Sequence, residues 1–261
     1  MINDAPIFLT NDDGFNSKGI KVLHKVAKKL SQDIWIFAPS KNNSGKSHSI
    51  TINKKIKVKR VESKKFIVDG TPVDCILFGL KFFSNKKKTP SVIISGVNHG
   101  QNLGLDIIYS GTVAAAREGS IQKIKSFSVS LEKNSKASNW KIVEHYLPKI
   151  LNELIIFKAD LSIFYNINFP NINTDRVKGC KVVKVGSRKP GETAKIEQRK
   201  KNNFNYTIPS ERKIHISALK NEDEYEMKNG FITITCHSEK KLLDKKLEKK
   251  LLNILEKIVE K

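Results

Sequence analysis

The stretch that decides the fold is IFLTNDDGFNSKGI, residues 7–20. Its apolar start, 7–9, predicts a buried strand, and the polar turn that follows contains Gly14, which tolerates unusual backbone conformations. A helical pattern begins near Gly19, with apolar residues three and four positions apart. A second apolar run, 34–38, comes next. This strand–helix–strand order predicts a parallel βαβ unit with a right-handed crossover.

The first half of the chain continues this alternation of strands and helices. Thr71 is a good N-cap and Pro72 suits the first position of a helix, so a helix is predicted to begin there. The predicted fold is therefore of the α/β class, a Rossmann-like three-layer core with a mainly parallel sheet. The further predicted elements are β-structure over 50–69, strands at 91–95, 126–131 and 161–168, and helices from 113 and over 138–157.

The pattern changes beyond about residue 135. We predict that residues 1–133 form the core that carries the functional site, and that residues 134–261 form a C-terminal elaboration. Within the second part, residues 186–210 are basic and contain several turn formers, which predicts an exposed β-hairpin arm. Leucines at helical spacing over 242–259 predict a Lys-rich terminal helix.

The composition is strongly basic. The chain has 261 residues, with 48 Lys and Arg against 26 Asp and Glu, and a formal charge of +22. Nucleic-acid binding and attraction of anionic substrates are two interpretations of this charge. A general bias toward lysine is a third, and it is preferred because lysines are spread along the whole chain.

Membrane insertion and a disulfide framework are not expected. No apolar run approaches the ~20 residues of a membrane span, and the first residues lack the pattern of a secretion signal. The three cysteines, Cys75, Cys180 and Cys236, are odd in number and far apart, which favours reduced thiols. A cytoplasmic protein is therefore expected.

Asp12 and Asp13 are the strongest candidates for chemistry. They follow a strand predicted to be buried, at the end of the sheet where α/β proteins bind ligands. Two adjacent carboxylates raise each other's pKa, and buried carboxylates need partners. A divalent cation removes both problems. The alternative is an exposed turn, because Asp and Gly are common turn formers; the position directly after a strand favours the metal site.

Two other predicted strand ends offer oxygen ligands. Ser44 and Gly45, in the polar loop after 34–38, provide a hydroxyl and backbone N–H groups, and Asn98 after 91–95 provides an amide oxygen. The alternatives are a flexible loop in the first case and an amide that stitches its own loop in the second. Two carboxylates, a hydroxyl and an amide oxygen suit Mg²⁺, Mn²⁺ or Ca²⁺ better than zinc.

An anion site is predicted at Ser110, Gly111 and Thr112. These residues precede a helix that begins with small residues, so hydroxyls and free backbone N–H groups at its N-terminus can hold a phosphate. Simple N-capping is the alternative, and both can apply at once. A metal beside an anion site suits phosphoester hydrolysis, because the metal neutralises phosphate oxygens and lowers the pKa of bound water.

Five motifs occur along the chain in a characteristic order. They are TNDDG at 10–14, AP at 38–39 with NSG at 43–45, GTPVDC at 70–75, SGVNHGQNLG at 95–104, and YSGTVAAA at 109–116. Together they resemble the SurE family of survival-protein 5′-nucleotidases, densely over about the first 130 residues and loosely beyond. The chain departs from the family pattern at 235–238, where TCHS replaces a Thr-Pro-Leu-like segment.

The resemblance implies a divalent-metal-dependent nucleotidase with one Mg²⁺ or Mn²⁺ per subunit. Its substrates would be nucleoside 5′-monophosphates, with 3′-monophosphates and short polyphosphate as further ones. The catalytic residues would be Asp12 and Asp13, with the attacking water bound to the metal beside Asp12. The metal ligands would be Asp12, Asp13, Ser44 and Asn98, and the substrate and phosphate pocket would contain Asn11, Gly45, Asn102, Ser110, Gly111 and Thr112.

The resemblance also implies a homodimer or homotetramer in which C-terminal elements, including the arm at 186–210, are exchanged between subunits.

Three other classes of protein fit the sequence less well. A nucleic-acid-binding protein without turnover fits the charge but lacks a recognised motif. A phosphoacceptor receiver domain needs a third Asp at the end of a later strand, where Ser95-Gly96 stands instead. A haloacid-dehalogenase-type phosphatase needs a DxD spacing, which Asn11-Asp12-Asp13 does not provide.

Overall fold

The computed structural model describes residues 5–133, 137–188, 194–200, 202–208 and 219–238. The terminal helix predicted over 242–259 lies outside these described residues. Within them the fold is α/β, with a mixed, mostly parallel nine-stranded sheet and a separate two-stranded hairpin. The predicted fold class is thereby confirmed.

The large sheet has the strand order β3-β4-β2-β1-β5-β6-β7-β11-β8. Six neighbouring strands in its centre, from β4 to β7, are all parallel. Taken alone, these six follow the doubly wound order, in which the direction of winding reverses between β1 and β5. The strands of the described residues are β1 Ile7–Thr10, β2 Ile34–Pro39, β3 Val58–Glu62, β4 Lys65–Val68, β5 Val92–His99, β6 Lys125–Leu131, β7 Ile163–Phe169, β8 Gly179–Val182, β9 Lys195–Lys200, β10 Asn203–Thr207 and β11 Phe231–Ser238.

Helices cover both faces of the sheet, as a three-layer core requires. Alternate residues of β1 show the two faces: Ile7 and Leu9 belong to the cluster packed against α1 and α4, whereas Phe8 packs with residues of α2 and α3. The helices of the described residues are α1 Lys18–Ala27, α2 Pro72–Asn85, α3 Gly111–Ile121, α4 Trp140–Ile156 and α5 Asp223–Lys228.

Local sequence explains where α2 begins and how closely α1 packs. Thr71 is the N-cap of α2 and Pro72 lies in its first turn, as predicted, and Asp74 completes a capping box with Thr71. In α1, a Cβ atom on Gly19 would lie 1.9 Å from the carbonyl oxygen of Val97. Only glycine permits this approach, which brings α1 onto the end of β5.

The sheet continues beyond residue 133. β7 adds in parallel to β6, β11 inserts antiparallel beside β7, and β8 pairs in parallel with β11. The β-structure predicted over 50–69 is limited to β3 and β4, since residues 50–57 form no strand. The hairpin predicted over 186–210 consists of β9 and β10.

In the part of the chain that the structure describes, we find no helix long and apolar enough to cross a membrane. The three cysteines are free: Cys75 is buried, and Cys180 and Cys236 are exposed.

Candidate active site

A polar cavity of about 140 Å³ lies at the carboxyl ends of the parallel strands. The winding of the sheet reverses between β1 and β5. The turn after β1 contributes Asp12 to the cavity, and β5 contributes Asn98. This is the position at which doubly wound folds bind their ligands. The lining residues are Asp12, Ser44, Gly45, Asn98, Gln101, Asn102, Asp106, Tyr109 and Ser110.

Hydrogen bonds at two points hold the loop after β2 against the cavity. The N–H of Asn43 donates to the carbonyl oxygen of Asp12 at 2.8 Å. The Ser47 hydroxyl donates to the carbonyl oxygen of Ile108 at 2.7 Å, on the opposite side of the cavity. Ser44 lies between these two attachments, so its place at the cavity is fixed although its side chain is exposed.

Asp12 is the carboxylate that dominates the electrostatics of the cavity. Its side chain is 3% exposed, and it accepts a hydrogen bond from the Thr112 hydroxyl. Burial, with a smaller contribution from the charge of Asp13, raises the pKa of Asp12 to about 6. Among the described residues, Asp12 makes no ion pair with a Lys, Arg or His side chain, so hydrogen bonds, first among them that of the Thr112 hydroxyl, stabilise its charge.

Asp13 and Asn98 lie on the β5 side of the cavity. The backbone N–H of His99 donates to Oδ2 of Asp13 at 3.1 Å, which ties the turn after β1 to the end of β5. Nδ2 of Asn98 donates to the carbonyl oxygen of Gly100 at 2.7 Å. This bond fixes the orientation of the Asn98 amide and leaves its carbonyl oxygen available to a ligand.

The N-terminus of α3 forms the opposite side of the cavity. The Ser110 hydroxyl caps the helix by accepting from the N–H of Val113 at 3.2 Å. A Cβ atom on Gly111 would lie 2.9 Å from Cβ of Asp12, so glycine is needed for α3 to approach β1. The first backbone N–H groups of α3, where the helix dipole favours anions, thus lie beside the acidic residue.

Four hydrogen bonds hold Asn102 at the cavity. Its backbone N–H donates to Oδ1 of Asn168 at 2.8 Å, and its carbonyl oxygen accepts from Nδ2 of Asn168 at 3.0 Å. Nδ2 of Asn166 donates to the same carbonyl at 2.9 Å. The Asn102 side chain donates to the hydroxyl of Ser130 at 2.8 Å. β6 and β7 therefore fix both the backbone and the side chain of this residue.

The predicted site residues fall into two groups. Six line the cavity: Asp12, Ser44, Gly45, Asn98, Asn102 and Ser110. Four do not line it, namely Asn11, Asp13, Gly111 and Thr112. Three of these four support the lining residues from behind. Thr112 donates a hydrogen bond to Asp12, and Gly111 lies against Asp12. The buried Asn11 amide donates to the carbonyl of Gly14 and to the hydroxyl of Ser17.

The cavity also contains residues that the sequence reasoning did not single out. Gln101, Asp106 and Tyr109 line it, and Arg188 donates to Oδ2 of Asp106 at 3.0 Å. Asn168 was missed as well, although the sequence contained a signal for it. Asn166 and Asn168 alternate with apolar residues in the strand predicted over 161–168, and polar side chains that face a core indicate a special role.

The residues at the cavity fit a hard divalent cation. Asp12 is a buried carboxylate without a cationic partner among the described residues, and Oδ1 of the neighbouring Asn11 is buried without a hydrogen-bond partner. No cluster of three His, Cys, Asp or Glu side chains able to hold a metal occurs in the described part of the chain. Beside Asp12, the cavity offers the hydroxyl of Ser44 and the amide oxygen of Asn98, and such oxygen donors suit Mg²⁺ or Mn²⁺.

Fold and site together define a class: a doubly wound α/β protein with an acidic crevice at the switch point of its sheet and a helix N-terminus facing it. The family model "Survival protein SurE" matches residues 7–192. The chain belongs to the SurE family.

Three known proteins show how far the similarity extends. The 5′-nucleotidase SurE of Paramagnetospirillum magneticum is 39% identical over 187 residues, which are 71% of this chain and 72% of that protein. The 5′-nucleotidase SurE of Rhodopseudomonas palustris (strain TIE-1) is 35% identical over 235 residues, 88% of this chain and 91% of that protein. The crystal structure of the SurE protein from Aquifex aeolicus has a TM-score of 0.84 at 30% identity, over 95% of this chain and 99% of that chain.

Proposed function

We propose that this protein is a divalent-metal-dependent 5′-nucleotidase, a phosphoric monoester hydrolase that converts nucleoside 5′-monophosphates to nucleoside and phosphate. The observation that carries the proposal is the buried Asp12 carboxylate. It lies in a polar cavity, without a cationic partner among the described residues, beside the N-terminus of α3. Membership of the SurE family supports the same activity. Nucleoside 3′-monophosphates and short polyphosphate are proposed as further substrates.

Asp12 and Asp13 would hold one Mg²⁺ or Mn²⁺ together with Ser44 and Asn98. When bound, such an ion supplies charge neutralisation for the phosphate and acidifies bound water. The Thr112 hydroxyl orients the Asp12 carboxylate and stabilises its ionised form, because it donates to Oδ1. The backbone N–H of His99 orients the Asp13 carboxylate by donating to its Oδ2.

The phosphate group of the substrate would lie between the metal ligands and the N-terminus of α3. Ser110, Gly111 and Thr112 supply the first turn of that helix, whose backbone N–H groups attract anions. Gly45 offers a backbone N–H from the loop after β2, and Asn102 offers a side-chain amide from the opposite wall. Asn11 supports this arrangement from behind, because its amide fixes the turn after β1.

A homodimer or homotetramer in the cytoplasm is the proposed working form. The hairpin of β9 and β10 exposes apolar side chains, with Ile196 70% exposed and both Phe204 and Tyr206 61% exposed. Such a surface on a short two-stranded ribbon suits association with a second copy of the chain, because an isolated hairpin has little stability of its own. Size-exclusion chromatography with light scattering measures the assembly directly.

Phosphate release from a panel of nucleoside monophosphates, with Mg²⁺, Mn²⁺ or EDTA, tests the activity. We expect turnover only with a divalent metal, and a loss of at least about 100-fold in Asp12→Asn, since even indirect partners of a metal cost 10- to 100-fold. Asp33→Asn is the matched control. Asp33 bonds Trp35 and Lys64 near the start of β2 and lies outside the cavity. Full activity in Asp12→Asn would refute the proposed site.

A further inference from the structure

Two rows of buried polar side chains cross three strands behind the cavity. Asn166 and Asn168 of β7 lie opposite serines of β6 on one side and threonines of β11 on the other. All six side chains are at most 1% exposed. The two transverse rows are Ser128, Asn166 and Thr235, and Ser130, Asn168 and Thr233.

Asn168 and Asn102 form a reciprocal pair. One side-chain amide of β7 both accepts from the backbone N–H of Asn102, at 2.8 Å, and donates to its carbonyl oxygen, at 3.0 Å. Two residues paired across neighbouring strands exchange hydrogen bonds in the same way. Asn102, however, lies in a loop, 66 positions before Asn168 in the sequence. The pair therefore fixes Asn102, a loop residue, to the sheet through its backbone.

This arrangement is costly if it serves packing alone. A buried amide loses its hydration and regains free energy only by making its hydrogen bonds, and apolar residues of the same shape often serve as well. The same row also contains the hydroxyl of Thr233, which is buried without a hydrogen-bond partner. The amide of Asn168, by contrast, directs both its donor and its acceptor to one residue at the cavity wall.

We infer that Asn168 is a positioning residue for phosphate binding, acting through Asn102. This inference rests on the proposed function, in which Asn102 contacts the phosphate of the substrate. One proton of the Asn102 side-chain amide is committed to the Ser130 hydroxyl. Because an amide nitrogen carries two protons, the second remains available to a phosphate oxygen. Asn168 fixes the backbone from which this side chain extends.

The consequence is a defect in substrate affinity when Asn168 is changed. Displacement of a contacting group by about 1 Å can cost 100-fold in activity, so we expect Asn168→Leu to raise KM for a nucleoside 5′-monophosphate by about 10- to 100-fold. Asp12, Asp13 and Ser44 belong to other loops, and Asn98 lies in β5 with its amide bonded to Gly100. The concentration of Mn²⁺ needed for half-maximal activation should therefore change by less than about twofold.

A double-mutant cycle separates the positioning of Asn102 from a general disturbance of the fold. If Asn168 acts through the Asn102 side chain, Asn168→Leu should raise KM strongly in the native chain and by less than about twofold in an Asn102→Ala background. The dissociation constant of inorganic phosphate, measured by calorimetry with Mn²⁺ present, should follow the same pattern. Equal effects of Asn168→Leu in both backgrounds would overturn the inference.

Asn168→Asp provides a second variant with a readout that a packing role would not produce. A protonated carboxyl can accept from the Asn102 N–H and donate to its carbonyl, as the amide does, whereas the ionised form cannot donate. The ratio of its KM to that of the native protein should therefore be near one at low pH and should increase as pH rises. A ratio that is independent of pH would count against the inference.

Thr233→Val is the matched control, because Thr233 lies opposite Asn168 in the same row but makes no bond to Asn102. We expect its KM to equal that of the native protein. Absence of any metal-dependent turnover in the native protein would refute the proposed function, and the phosphate-binding measurements would then test the pair by themselves. Native turnover with additive effects in the cycle would refute only the role of Asn168.

Discussion

Asp12→Asn should stabilise the metal-free protein while removing its activity. In the folded chain, burial and the charge of Asp13 raise the pKa of Asp12 from 3.8 to about 6. The folded state therefore binds the Asp12 proton more tightly than the unfolded state does. Protonation of Asp12 therefore stabilises the folded state below about pH 4, and this stabilisation is lost as the pH rises through about 6. Asparagine has the same shape and never ionises, so it avoids the loss.

The magnitude follows from the size of the pKa shift. A rise of about two units corresponds to about 3 kcal/mol at neutral and alkaline pH, because each unit is worth about 1.4 kcal/mol. For a chain of this size, that difference raises Tm by roughly 6–12 °C. Near pH 4 the two proteins should have nearly equal stability, since the native Asp12 is then protonated in the folded state.

The assay is thermal and urea unfolding in EDTA at pH 4, 6 and 8, for both the native protein and Asp12→Asn. Addition of Mn²⁺ at pH 8 should raise Tm of the native protein and leave the variant unchanged, because binding to the folded state alone stabilises it. Asp33→Asn is a control of opposite sign. Burial by itself would raise the pKa of Asp33, but hydrogen bonds from Lys64 and Trp35 outweigh it and lower that pKa.

Asp33→Asn should therefore destabilise the protein at pH 8, and its effect should fade as the medium becomes acidic. A native protein that is more stable than Asp12→Asn at pH 8 in EDTA would refute the reasoning. That result would mean that other groups of the chain already stabilise the negative charge of Asp12. The main physical argument for a cation at this site would then be lost.

Three further substitutions test individual contacts. Gly19→Ala should lower the yield of folded protein and its Tm, measured by calorimetry, because the added Cβ would lie 1.9 Å from the carbonyl oxygen of Val97; a Tm equal to that of the native protein would contradict this packing. Thr112→Val removes a hydrogen bond that lowers the pKa of Asp12, so the pH midpoint of Mn²⁺ binding should move upward; an unchanged midpoint would mean that the bond is absent in solution. Lys125→Met should reduce the free energy of unfolding by about 1–2 kcal/mol in urea, because Nζ of Lys125 donates to carbonyl oxygens at the end of α4; Lys123→Met, at an exposed position nearby, should have no such effect.

The sequence by itself determined the local parts of this protein. The strand, turn and helix of residues 7–20, the capped start of α2 and the acidic pair Asp12-Asp13 were all predictable, because neighbouring residues decide them. The parallel α/β class followed from the alternation of strands and helices. Bounds of most elements agree within a few residues, and the clearest exception is 50–57, which forms no strand.

The tertiary structure alone decided how distant segments combine at the site. Thr112 bonds Asp12 from 100 positions away, and Asn168 fixes Asn102 across 66. β11 separates β7 from β8 although it comes last among the described strands. Such pairings depend on which surfaces fit together after the chain has compacted, and residue spacing along the sequence contains no signal for them. For the same reason the raised pKa of Asp12 belongs to the fold: burial produces it, and burial is a property of the packed layers.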